Sequence, residues 1–139
     1  MNLDPLTLPL LAKSGVVGVG VDLVDVARFE RAIARTPRLI ERMLTPAEWE
    51  YCRSRPRPAM HAAARFAAKE AAVKALGCGI FGLRLRDVEV VAGSDGPVLA
   101  LGDTADRAMQ RRGADELLVS ITHTDELAGA VVVALHSSR

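Results

Sequence analysis

The chain has 139 residues, half of them apolar and a quarter charged, with 18 basic and 17 acidic side chains. That length suits one compact domain with a single core, and the composition is typical of a folded protein rather than a disordered one. The net charge of +1 gives no support for a general attraction to nucleic acid or to membranes, and two cysteines are too few for a disulfide framework or a zinc site. We therefore expect a cytoplasmic protein that binds neither nucleic acid nor membrane.

Residues 1–14 are rich in leucine and could suggest a signal peptide. Asp4 stands where a positive charge would be needed, however, and Pro5 and Pro9 interrupt the apolar run. We predict an N-terminal extension over 1–14 and one domain over 15–139.

The stretch VVGVGVDLVDV at 16–26 predicts a buried strand. Strand alternation places four apolar side chains on one face, namely Val17, Val19, Val21 and Leu23. Gly18, Gly20 and Asp22 share the other face, and glycines inside a strand often mark the close approach of another group. Asp25 is well placed to cap a helix that ends near Arg35.

The rest of the chain divides into short elements. The capping box TPAE at 45–48 begins a short helix, the prolines of 53–60 predict a loop, and an alanine-rich helix runs from about Ala59 to Leu76, ended by Gly77. We then predict strands over 85–92 and 98–102, a helix over 104–112, and strands over 116–124 and 126–135. The order β-α-α-α-β-β-α-β-β predicts a single α+β domain, with a largely antiparallel sheet and helices packed on it.

One stripe of the alanine-rich helix carries Phe66, Glu70 and Lys74. Phe66 indicates that the stripe faces partly inward, so Glu70 needs a partner, because an unpaired buried carboxylate is very costly. One interpretation is an ordinary ion pair between Glu70 and Lys74 on an exposed face. The other is a metal-binding carboxylate one turn before a phosphate-binding lysine. Magnesium takes one or two protein carboxylates with water and phosphate oxygens, and Asp22 is the candidate for the second acid.

Two weaker signals accompany this stripe. Gly79 is not needed to end the helix, and it offers backbone that can approach a ligand closely. His123 lies at a predicted strand end, where a lone histidine is more often structural than functional. Gly18 and Gly20 lack the third glycine of a dinucleotide-binding fingerprint.

Five segments carry a family resemblance. They are GVGVDLVDVARF (18–29), RMLTPAEWEYC (42–52), RFAAKEAAVKALGCG (65–79), DVEVV followed by GSDGPVLAL (87–101), and VSITHTDELAGAVVV (119–133). In this order they resemble the holo-[acyl-carrier-protein] synthases, the small trimeric class of 4′-phosphopantetheinyl transferases. The resemblance implies an enzyme of fatty-acid and lipid metabolism. It would move the 4′-phosphopantetheine arm of coenzyme A onto a serine of apo-acyl carrier protein and release 3′,5′-ADP.

The resemblance also implies roles for individual residues. Asp22 and Glu70 would hold Mg²⁺, and Lys74 would neutralise charge on the leaving group. The implied contacts with coenzyme A are Arg65, Lys74, Gly77, Gly79, Gly96, Pro97, His123 and Thr124. Three groups stay open as the acceptor of the serine proton: a water on the metal, Glu70 and His123.

The implied partner is an acidic carrier protein. Arg28, Arg31 and Arg35 recur at helical spacing and would form a basic face for it. The implied assembly is a homotrimer with each active site between neighbouring subunits, which would cover strands that look buried on both faces. Cys78 stands where many members of the family have threonine.

Two alternatives remain at this point. The first is a non-catalytic coenzyme A- or nucleotide-binding regulatory module, which would keep the pocket without needing both magnesium carboxylates. The second is a phosphotransferase of the actin-like or ribonuclease H-like type, whose first strand also carries a glycine-rich run ending in a metal-binding aspartate.

Overall fold

The computed structural model describes residues 15–79 and 81–137, and the predicted extension over 1–14 lies outside these residues. The elements are β1 (Val16–Asp25), α1 (Val26–Arg35), α2 (Arg38–Met43), α3 (Pro46–Arg53), α4 (Pro58–Leu76), β2 (Val88–Gly93), β3 (Gly96–Leu101), α5 (Asp103–Arg112), β4 (Glu116–His123) and β5 (Leu127–Leu135). The predicted order is confirmed, with the six-residue helix α2 as an addition that the sequence pattern did not predict. Within the described ranges, no helix is both long enough and apolar enough to cross a lipid bilayer.

The strands are antiparallel, as predicted, but they form two sheets instead of one. The larger sheet has the order β1-β5-β4, and β2 pairs with β3 in a separate hairpin. Asp22 of β1 lies opposite Ala130, and His123 at the end of β4 lies opposite Ala128. The central strand β5 therefore connects the strand that carries Asp22 to the strand that carries His123.

Local signals set the helix ends. The backbone N–H of Arg28 donates to Asp25 Oδ1 at 2.8 Å, which confirms the predicted cap of α1. Thr45 and Glu48 form the predicted capping box, each side chain accepting from the backbone N–H of the other. Gly77 ends α4 in the left-handed conformation, with φ of 63°.

The helix α4 lies directly on β1 because β1 presents glycines to it. A Cβ atom at Gly18 would come within 1.9 Å of the carbonyl oxygen of Ala75, and one at Gly20 would come equally close to that of Ala71. The predicted close approach is therefore confirmed, and the approaching group is the backbone of α4. The small side chains of both elements allow this spacing.

Two expectations about strands are wrong. The apolar face of β1 is not buried within the chain, because the glycine face is the one that packs on α4. On the other side of the sheet, large apolar side chains between 40% and 69% exposed form what we call the apolar sheet face: Val19, Val21, Leu23, Leu118 and Val131. The predicted strand over 85–92 begins only at Val88. Leu85–Asp87 is a 3₁₀ turn in which Asp87 accepts hydrogen bonds from Thr104.

Candidate active site

A cluster of charged side chains forms where β1 faces α4. Lys74 Nζ lies 3.0 Å from Asp22 Oδ1 and donates a hydrogen bond to the carbonyl oxygen of Val21 at 2.9 Å. Glu70, one turn earlier on α4, is half-buried beside them. The structure thus pairs Lys74 with Asp22, and the interpretation of an isolated Glu70–Lys74 ion pair is wrong. Asp22, Glu70 and Lys74 form what we call the carboxylate site.

The electrostatics of the carboxylate site favour a cation. Burial raises the pKa of Glu70, the charge of Asp22 raises it further, and Lys74 lowers it only in part. Among the described residues, Glu70 accepts no hydrogen bond, and the ammonium group of Lys74 is paired with Asp22. A divalent ion would relieve this excess of negative charge, and magnesium needs no more than one or two protein carboxylates. The donor set therefore fits the ion that the sequence implied.

Arg28 connects this site to the predicted basic face. It lines a cavity of about 570 Å³ together with Asp22, Glu70 and Phe66. It also borders a groove of about 440 Å³ on the outer side of α1, which is lined by Arg31 and Arg35 as well. All three arginines are exposed, and none forms a salt bridge with another described residue. Basic side chains thus lead from the surface of α1 to the carboxylates.

A second cavity, of about 560 Å³, lies between α3, α4, the β2–β3 hairpin and β4. Four residues implied by the resemblance line it: Arg65, Gly96, Pro97 and His123. We call it the arginine pocket. The structure therefore groups these residues although they come from three distant parts of the chain.

The wall of the arginine pocket contains aromatic and cationic side chains that the sequence analysis missed. Tyr51 contacts two guanidinium groups, with Arg65 Cζ 4.2 Å and Arg55 Cζ 4.8 Å from the centre of its ring. The ring of His61 stands edge-on between Tyr51 and His123, 6.0 Å from each. Burial lowers the pKa of His61, and the charge of Arg65 lowers it further. In the sequence, this cluster was indicated by the i,i+4 spacing of His61 and Arg65, which places both side chains on the same face of α4.

The carboxylate site and the arginine pocket lie on opposite sides of α4. Arg65 and Glu70 are five residues apart, which turns their side chains about 140° away from each other around the helix axis. Of the implied contacts with coenzyme A, Lys74 belongs to the carboxylate site, and Gly77, Gly79 and Thr124 line neither cavity. Gly77 and Gly79 lie at the C-terminal end of α4, and the Thr124 hydroxyl oxygen accepts from two backbone N–H groups of the β4–β5 turn.

A buried ion pair fixes one wall of the arginine pocket. Lys69 is fully buried, and its Nζ donates to Glu48 Oε1 at 2.8 Å and to the carbonyl oxygens of Leu85 and Val88. Glu48 Oε2 also accepts from the backbone N–H of Val90 at 3.1 Å. Burial lowers the pKa of Lys69, and the charge of Glu48 opposes that change. This lysine joins α4 to α3, the 3₁₀ turn and β2, and its only signal in the sequence was a charged residue within an alanine-rich stretch.

Sequence comparison gives consistent matches over most of the chain. The 4′-phosphopantetheinyl transferase superfamily matches residues 18–131. The holo-[acyl-carrier-protein] synthase of Desulforudis audaxviator is 46% identical over 125 residues, which cover 88% of this chain and 95% of the relative. The holo-[acyl-carrier-protein] synthase of Salinispora arenicola is 48% identical over 121 residues, which cover 86% and 98% of the two chains.

Solved structures with bound ligand match as well. The Helicobacter pylori holo-[acyl-carrier-protein] synthase in complex with coenzyme A has a TM-score of 0.71 at 32% identity, and the match covers 84% of this chain and 98% of that one. The Bacillus anthracis holo-(acyl-carrier-protein) synthase in complex with CoA (3′,5′-ADP) has a TM-score of 0.72 at 32% identity, covering 88% and 98%. These likenesses leave no support for an actin-like or ribonuclease H-like phosphotransferase.

Proposed function

The chain belongs to the 4′-phosphopantetheinyl transferase superfamily, and we propose that it transfers the 4′-phosphopantetheine arm of coenzyme A to a serine of an apo-acyl carrier protein. The second product is 3′,5′-ADP. The observation that carries this proposal is the meeting of Asp22 and Glu70 beside Lys74, where β1 faces α4. Relatives that match nearly the whole chain are named holo-[acyl-carrier-protein] synthases.

The carboxylate site holds the groups that would neutralise negative charge on the phosphates during the transfer. Asp22 and Glu70 would hold Mg²⁺, which when bound neutralises the diphosphate of coenzyme A. In the reaction the serine oxygen bonds to phosphorus while the bond from phosphorus to the oxygen of 3′,5′-ADP breaks. The serine proton passes to one of the three acceptors named above, namely water at the carboxylate site, Glu70 or His123. Lys74 Nζ, held at the Val21 carbonyl, is positioned to pair with phosphate oxygens as negative charge grows on that leaving group. Positioning and charge stabilisation supply most of the acceleration in such transfers.

The arginine pocket binds the nucleotide end of coenzyme A in this proposal. Arg65 supplies positive charge, Arg65 and His123 supply hydrogen-bond donors for phosphate oxygens, and the turn at Gly96 and Pro97 lies near the adenosine. The basic face at Arg28, Arg31 and Arg35 receives the acidic carrier protein. Because Arg28 also lines the cavity of the carboxylate site, a carrier bound there would present its serine to the metal ligands.

The active chain is a homotrimer in this proposal. A single coenzyme A molecule has to reach both the arginine pocket and the carboxylate site, which one chain presents on opposite sides of α4. A complete site therefore combines the arginine pocket of one subunit with the carboxylate site of its neighbour. The apolar sheet face, uncovered by any described element, supplies the surface for that contact.

The assembly can be tested by matched substitutions. Leu118 on the apolar sheet face and Val98 on the β2–β3 hairpin are 50% and 48% exposed. Light scattering should give about 45 kDa for the parent protein, three times 14.9 kDa, and for Val98→Glu. Leu118→Glu should give the mass of one chain and lose transfer. A parent protein of about 15 kDa with full activity would contradict the trimer.

The transfer itself is tested with purified protein, coenzyme A, Mg²⁺ and a panel of apo-carrier proteins. We expect the carrier to gain the mass of one phosphopantetheine, and 3′,5′-ADP to form in equal amount. Asp22→Ala and Glu70→Ala should abolish transfer while circular dichroism stays that of the parent. Tight binding of coenzyme A that EDTA does not affect, without transfer to any carrier, would instead support the non-catalytic regulatory module.

A further inference from the structure

We propose that Tyr51 is a positioning residue, which orients the guanidinium of Arg65 toward the anionic nucleotide end of coenzyme A. This inference rests on the proposed function, because it concerns the ligand of the arginine pocket. Tyr51 itself need not touch that ligand.

Arg65 contacts Tyr51 as a cation over an aromatic ring. A guanidinium group that lies over an aromatic ring uses its flat face, so its N–H groups, which point outward in its plane, stay available for a carboxylate or phosphate. Arg65 Cζ is 4.2 Å from the centre of the Tyr51 ring. Tyr51 therefore holds the guanidinium over its ring, and it accepts none of the hydrogen bonds described for Arg65.

Few other contacts hold Arg65 in place. Its Nη1 donates to the carbonyl oxygen of His61 at 3.5 Å, the outer limit for a hydrogen bond. Its Nε is buried, and no described group accepts a hydrogen bond from it. A buried donor without an acceptor is costly, so this nitrogen adds nothing that holds the side chain in place. The polar contacts described for this side chain are thus the cation–π contact with Tyr51 and one long hydrogen bond.

The acidic side chains near the pocket do not compete for Arg65. Glu48 is engaged by Lys69 and by the backbone N–H of Val90. Glu89 accepts a hydrogen bond from the hydroxyl of Thr45. Arg65 forms no salt bridge within the described parts of the chain, so its charge remains available for an external anion.

His61 extends the constraint to His123. Its ring stands edge-on to Tyr51 and to His123, at 6.0 Å from each. Arg55 Cζ lies 4.8 Å from the centre of the Tyr51 ring and adds a second positive charge. The ring of Tyr51 is therefore the centre of a cluster that holds two cationic groups and two imidazoles at one wall of the pocket.

The test compares Tyr51→Leu with Tyr51→Phe. Both variants keep an apolar side chain at this position, but only phenylalanine keeps the aromatic face. Titration calorimetry with 3′,5′-ADP should show a loss of affinity of about 5- to 30-fold for Tyr51→Leu, the range of a cation–π contact, and nearly parental affinity for Tyr51→Phe. In the transfer assay Tyr51→Leu should raise KM for coenzyme A by a similar factor, with kcat and KM for the carrier protein unchanged.

The outcomes separate this inference from the function on which it rests. Parental affinity for 3′,5′-ADP in Tyr51→Leu would overturn the positioning role and leave the proposed function standing. Equal losses in the leucine and phenylalanine variants would overturn it as well, since the aromatic face would then be irrelevant. A parent protein that transfers phosphopantetheine but whose Arg65→Ala variant binds 3′,5′-ADP normally would show that the nucleotide lies elsewhere. A parent protein that neither binds 3′,5′-ADP nor transfers would refute both proposals.

Discussion

The substitution Gly20→Ala tests the link between helix–strand spacing and catalysis. An added Cβ would lie 1.9 Å from the carbonyl oxygen of Ala71 and 2.7 Å from the backbone nitrogen of Ala75, so it meets backbone instead of a movable side chain. The shortest separation that real Cβ atoms show is about 3.0 Å, so α4 has to retreat by at least 3.0 − 1.9 = 1.1 Å. Overpacking of this kind costs about 1–3 kcal/mol, and the backbone clash places Gly20→Ala near the upper end.

The same retreat moves Glu70 and Lys74 away from Asp22. A displacement of about 1 Å in a catalytic group can lower the rate about 100-fold, and we expect that loss in kcat for phosphopantetheine transfer. Urea denaturation measures the first effect and mass spectrometry of the carrier protein measures the second.

The control is Ala100→Val on β3, where the added methyl groups enter solvent. It should leave both stability and kcat nearly unchanged. A Gly20→Ala protein with parental unfolding free energy and parental kcat would refute this account of the fold. Lost stability with full kcat would refute only the link from spacing to catalysis.

Three further substitutions have definite expected results. Lys69→Met should lower the unfolding free energy by about 3 kcal/mol in urea denaturation, because Glu48 is left buried without its counter-ion; a loss below about 1 kcal/mol would contradict this. Hydrogen bonds from Thr104 lower the pKa of Asp87 below its ordinary value of 3.8. These bonds therefore stabilise the folded protein at pH values above 3.8, and this stabilisation is lost as the pH falls through the lowered pKa. Thr104→Val should therefore be less stable than the parent at neutral pH, and the difference should shrink in urea melts below pH 3.8; a constant difference would exclude this linkage. Arg28→Glu should raise KM for the carrier protein at least about 10-fold in steady-state assays and leave KM for coenzyme A unchanged, because the new negative charge repels an acidic partner. Equal increases in the two KM values would contradict a role of Arg28 in binding the carrier protein alone.

Local signals predicted most of the fold. The caps at Asp25 and Thr45 and the glycine that ends α4 act within one helical turn, so the sequence around each is sufficient to identify it. The glycines of β1 likewise indicated a close approach before its partner was known. The start of β2 was misjudged because Asp87 binds Thr104, a contact 17 residues away that no local pattern reveals.

The sequence was less informative about how surfaces are used. Alternation in β1 separated its two faces correctly, but it could not tell which face packs on α4 and which stays exposed within the chain. Lys69 resembles any helical lysine until its three buried acceptors are seen. By contrast, the divergence of Arg65 and Glu70 around α4 follows from their spacing alone and was available from the start.

Opposed ligand-binding sides on one helix have a genetic consequence. In the proposed ring, a subunit damaged at Glu70 still lends an intact arginine pocket to one neighbour, and a subunit damaged at Arg65 still lends intact carboxylates to the other. Two alleles that are each inactive alone would therefore complement each other when expressed in the same cell, because every mixed ring contains a single undamaged centre.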